Sequence, residues 1–106
     1  QSTTGGRMTN KELITSQRDE IIKMISEFGA EIQFRTDIAE TILNENHVLS
    51  CHISYDLGKH HGYFSLFVSD SAKAYDFPVN GIRSGDFNWV KDAFYLYLRL
   101  VKVYCQ

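Results

Sequence analysis

The hydrophobic period of the chain changes twice, from about 3.6 residues to two and back to 3.6, which points to a sheet with a helix at each end. At the start, Thr9-Asn10-Lys11-Glu12 spells a capping box, in which the Thr9 hydroxyl can accept from the Glu12 amide while Glu12 reaches back. Met8 and Leu13 stand at the staple positions around it. Leu13, Ile14, Ile21, Met24, Ile25 and Phe28 share an arc of about 120°, with Gln17 inside the arc and Ile22 outside it. Gly29 is the expected stop. The spacing predicts a helix over residues 10–28.

Alternation takes over in the middle. Residues 31–35 read as a short strand, with Ile32 and Phe34 on one face. Asp37-Ile38-Ala39-Glu40 resembles another helix start, and Ile38, Ile42 and Leu43 supply a short stripe. A second, short helix is therefore expected there, ended by Asn44 and Asn46. From His47 to Tyr55 the apolar Leu49, Cys51, Ile53 and Tyr55 face one way, with Ser50, His52 and Ser54 opposite. Residues 56–62 are turn material, and residues 63–69 form a second run rich in aromatics, so the pair reads as a β-hairpin with a longer loop. Residues 73–79 offer a third strand, which Pro78 confines to an edge or an end. Asn80-Gly81 is a turn signal, and Ser84-Gly85-Asp86 reads as the entry to the last helix, with Asp86 as its cap.

That last segment contains many β-formers, and its polar positions decide between helix and strand. Asn88, Lys91, Asp92, Arg99, Lys102 and Gln106 fall, with Tyr95, within about 100° of a helical wheel. The helix is expected to run to about Tyr104. The fold class is therefore α+β: a small, mainly antiparallel sheet around a central hairpin, flanked by an N-terminal and a C-terminal helix. With both helices on one face, the other face of the sheet is expected to be open.

With 106 residues, 43% of them apolar, the chain has room for one domain with its own core. Residues 1–7 are polar and Gly-rich and read as a flexible or expression-derived leader ahead of a start at Met8, leaving residues 8–106 as the domain. The absence of a secretion-type stretch points to the cytoplasm, and no apolar run approaches the ~18 residues of a membrane span. Two cysteines, Cys51 and Cys105, are too few for a disulfide scaffold and are expected to be reduced and structural. Cys51 and His52 are neighbours on a strand and point to opposite faces, so they make a poor thiol–imidazole pair.

Four histidines lie between His47 and His61, beside Cys51 and Asp56. Zinc needs three or four ligands converging at ~2.0–2.3 Å, and no His-x-x-x-His or Cys-x-x-Cys spacing is present. Loop histidines plus one on a sheet face is the simpler account, so no metal or cofactor is expected. Asp70 and Asp76 flank a loop and read as solvated. No phosphate-cradling glycine motif or paired carboxylates appear, so the chain is not expected to be an enzyme.

Two features go beyond a plain core. Lys91, Tyr95, Arg99 and Lys102 form a basic-aromatic stripe on the last helix, most simply a solvated face. That helix is also apolar around roughly 220° of its wheel, far wider than the ~100° of a one-sided helix. Either it is sandwiched in the fold or part of it meets another chain. On the hairpin, Phe64, Leu66 and Val68 share one face, while Tyr63 and Phe67 share the other with His52.

The expected function is that of a protein-binding module that occludes a partner, as inhibitors, antitoxins and toxin-immunity proteins do. Its candidate contact residues are Tyr63 and Phe67 as apolar anchors, His60 and His61 as adaptable polar groups, and Tyr95, Arg99 and Lys102 as a basic edge for a partner with an acidic patch. A second copy of the chain is among the candidate partners. A small-ligand-binding or enzymatic domain with a pocket between sheet and helices is the second reading. Weak nucleic-acid binding through the basic stripe is the third, and it is disfavoured by a net charge of −2 and by 8 acidic against 5 basic groups in the first 45 residues.

Overall fold

The computed structural model describes residues 8–35 and 37–104, with the backbone alone for Phe34 and Arg35. The expected leader over residues 1–7, together with Cys105 and Gln106, lies outside the described residues. Helix α1 (Asn10–Glu27) starts at the capping box, with Thr9 Oγ1 accepting from the Glu12 amide at 3.1 Å and Glu12 Oε1 from the Thr9 amide at 2.9 Å. It ends at Gly29, whose φ of 86° is the left-handed conformation that glycine adopts without a Cβ penalty.

Six strands follow: β1 (Glu31–Arg35), β2 (Ala39–Leu43), β3 (Asn46–Leu57), β4 (His60–Val68), β5 (Lys73–Asp76) and β6 (Arg83–Ser84). They form one antiparallel sheet in the order β1-β3-β4-β5-β6, with β2 continuing the β1 edge along the first half of β3. Helix α2 (Phe87–Tyr104) closes the chain, and Asp86 caps it through a 3.2 Å bond from the Trp89 amide.

Three expectations need correction. The segment expected to be a second helix is strand β2, and Asn44-Glu45, with φ of 50° and 67°, is a two-residue hairpin turn of the primed type. The long loop expected over residues 56–62 is a two-residue turn at Gly58-Lys59, so His60 and His61 belong to β4 rather than to a loop. Asp70 and Asp76 are partnered rather than merely solvated: Asp70 accepts from Asn10 Nδ2 at 2.7 Å, and Asp76 pairs with Arg83 at 3.0 Å.

Both helices lie on one face of the sheet. The alternating Leu49, Cys51, Ile53, Tyr55 and Leu57 of β3 meet Phe64, Leu66 and Val68 of β4 and Tyr75 of β5 beneath them. Helix α1 contributes Ile14, Ile21 and Ile25, while α2 contributes Phe87, Val90, Phe94, Leu98 and Val101. Tilted aromatic contacts hold α2 down, with Phe94 centred 4.9 Å from Phe64 and 5.0 Å from Phe77. The opposite sheet face carries no covering element among the described residues. No described helix is long and apolar enough to cross a membrane.

Candidate functional site

The antiparallel register builds a polar row straight across the open face. His52 of β3 stands opposite Ser65 of β4, Ser65 opposite Asp76 of β5, and Asp76 opposite Arg83 of β6. Two residues along β4 in either direction come Tyr63 and Phe67, which share that face because side chains alternate along a strand. The row is knitted together. His52 Nδ1 and Ser65 Oγ are hydrogen-bonded at 2.8 Å, and Arg83 donates to Asp76 Oδ2 at 3.0 Å. The His52 ring stands edge-on to Phe67 at 5.5 Å, and the Arg83 guanidinium carbon lies 5.6 Å from the Phe67 centroid. Phe67 is thus held between an imidazole and a cation, a geometry that fixes its ring.

Charges on this face are layered. Asp76 is 20% exposed beneath Arg83 at 61%, and Asp56 is 21% exposed beneath His61 at 81%. The Asp56 carboxylate accepts from the His61 ring and from Gln33 Nε2. Carboxylates sit low while nitrogen donors stand over them, so what approaches the face meets donors and aromatic rings. Two shallow depressions of about 320 and 400 Å³ share Tyr63, Asp76 and Arg83.

A serine, a histidine and an aspartate in one row invite a catalytic reading, but their order is against it. A nucleophilic triad needs the imidazole between hydroxyl and carboxylate, so that the carboxylate orients the base. Here Ser65 stands between His52 and Asp76, and Asp76 is taken up by Arg83. Ser65 is also 4% exposed, at the floor of the smaller depression.

The seven residues singled out from the sequence divide into three places. Tyr63, Phe67 and His61 lie on the open face. His60 points to the helical side, hydrogen-bonded to the Tyr97 hydroxyl at 3.2 Å and tilted against Tyr55, and burial pushes its pKa below 6.5 with the nearby His61 adding to the effect. Tyr95, Arg99 and Lys102 lie along the seam between the two helices. Tyr95 meets Phe28 edge-on at 5.4 Å, Arg99 lies over Tyr95, and Lys102 Nζ donates to the Phe28 carbonyl at 2.7 Å. Lys91, in the same stripe, pairs with Glu20 at 2.9 Å. Most of the basic stripe therefore ties α2 to α1.

Sequence reasoning missed Ser65, Asp76 and Arg83. The signal was present in Gly58-Lys59: read as a two-residue turn, it fixes the β3–β4 register and with it the pairing of His52 with Ser65. Among the described residues no group of three or more His, Cys, Asp or Glu side chains is placed to hold a metal ion. His47 lies apart from the other histidines, paired with Glu40 on the β2–β3 hairpin at 2.6 Å. No protein-family model, curated protein or solved structure matches the chain.

Proposed function

We propose that the chain is a protein-binding module that works by covering part of a partner protein, in the manner of inhibitors, antitoxins and immunity proteins. The observation that carries this reading is the open sheet face, on which Phe67 is clamped between His52 and Arg83 and Tyr63 stands 40% exposed beside it. Rigid aromatics next to an arginine are the residue types that dominate the energetics of protein interfaces. The layering of donors over carboxylates fits a partner that offers carboxylates or backbone carbonyls at the contact. The depressions on this face are shallow and lie side by side, a form suited to a protuberance of a protein surface rather than to an engulfed small molecule.

A photo-crosslinking residue placed at Ser54, opposite Tyr63 on the same face, tests the reading against a control placed on the exposed surface of α1 at Glu27. In extract of the source cells, the Ser54 position should give one discrete protein adduct that the Glu27 position does not. Adducts that are the same from both positions, or none from Ser54, would count against the open face as the contact surface.

A further inference from the structure

Helix α2 carries a second apolar face. Phe87, Val90, Phe94, Leu98 and Val101 are buried against the sheet, yet Trp89, Leu96, Leu100, Val103 and Tyr104 are between 48 and 79% exposed on the outward side. Trp89, Ala93, Leu96, Leu100 and Val103 follow one another at intervals of four, three, four and three residues. This is the seam spacing that lets two helices pack side chains into each other's gaps. Among the described residues, no element of the fold covers this part of the 220° apolar arc.

We infer that this face joins two copies of the chain through an antiparallel, twofold α2–α2 contact. Two observations favour a second copy over other occupants. Asp92 and Arg99 border the stripe on the same side, seven residues apart and opposite in charge. An antiparallel pairing that sets Ala93 against Leu96 of the other copy brings each Asp92 beside the other copy's Arg99, making the surface self-complementary, as a twofold interface requires. At their fractional exposures the apolar side chains offer on the order of 600 Å² per copy, which places the pair at about 1,200 Å², the lower end of stable specific interfaces.

Trp89 is the only tryptophan, so it reports the contact without any substitution. In a dilution series of the full chain, sedimentation equilibrium should show a reversible dimer, and Trp89 emission should shift to longer wavelength as the dimer dissociates. Leu96→Asp with Leu100→Asp should weaken the dimer by about thirtyfold or more, as loss of central anchors does. Asp92→Arg alone should also weaken it by placing two arginines together, and adding Arg99→Asp should restore it. A chain that stays monomeric through the series, including one that instead binds lipid vesicles or a different protein through α2, overturns the inference. So does a dimer indifferent to the leucine substitutions, and failure of the charge reversal to rescue overturns the antiparallel pairing.

Discussion

The Tyr75 hydroxyl donates to Gln17 Oε1 at 2.8 Å, joining two buried side chains 58 residues apart across the interface of sheet and α1. Gln17 lies within the apolar arc of α1, where only a specific acceptor role makes a buried amide tolerable. Gln17→Leu leaves the Tyr75 hydroxyl buried without an acceptor and should cost about 1–3 kcal/mol in urea unfolding. Tyr75→Phe in the same chain should recover most of that loss, because removing both polar partners removes the desolvation penalty too. A double variant no more stable than Gln17→Leu alone would show that the amide matters for packing and not for the bond.

Tyr55 presents the opposite case. Its hydroxyl is buried with no hydrogen-bond partner among the described residues, and burial pushes its pKa well above the ordinary tyrosine value. Tyr55→Phe should therefore be neutral or stabilising in a thermal melt, by up to about 2 kcal/mol. The ring also needs Gly62 opposite it on β4, since a Cβ there would sit 2.5 Å from the hydroxyl and 2.6 Å from the ring carbon bearing it. Gly62→Ala should destabilise by about 1–3 kcal/mol, as overpacking of a core does. Most of the loss should persist when Gly62→Ala is combined with Tyr55→Phe, because the ring carbons at 2.6 and 2.9 Å remain, and full relief in that background would mean that the hydroxyl alone is the obstacle.

His60 gives stability a pH dependence. Burial, and after it His61, holds its folded pKa below 6.5, so below that pH the unfolded chain takes up a proton that the folded chain resists. The favourable contribution is complete above 6.5 and is lost as pH falls from 6.5 through the lower folded value. Melts of the parent and of His60→Gln between about pH 5 and 7.5 should show the parent's advantage shrinking toward the acid end. An advantage that is flat across the range would contradict this assignment.

The β2–β3 turn places Glu45 at φ 67°, where a side chain is strained and glycine is not. Glu45→Gly converts the turn to Asn-Gly, the favoured pair for a two-residue hairpin, and should stabilise the protein by about 0.5–1 kcal/mol. No gain in the urea midpoint would mean that the turn is not limiting for this hairpin.

That turn also explains what the sequence concealed. The capping box, Gly29, the alternating β3 run and the polar stripe of α2 are local signals, and the elements they predict stand where expected. Strand β2 failed because every one of its residues is exposed, so its side chains carry no alternation to read, while Ile38, Ile42 and Leu43 mimic a helical stripe. The polar row of His52, Ser65, Asp76 and Arg83 is a property of register across four strands, set by the two-residue turn between β3 and β4 and by the longer connections over residues 69–72 and 77–82. Alternation alone places Tyr63 and Phe67 on their shared face. The polar spacing marks the helical stripe as a unit, but its contacts with Glu20 and Phe28 depend on how the two helices pack.

The most direct test of the open face as the working surface is a binding titration of the crosslinked partner, once purified, with Tyr63→Ala/Phe67→Ala. Circular dichroism and the melting temperature establish that the double variant is folded. The account predicts a folded double variant whose affinity is lower by about thirtyfold or more, since central aromatic anchors cost about 2 kcal/mol or more when truncated. A folded double variant that binds as tightly as the parent would contradict it.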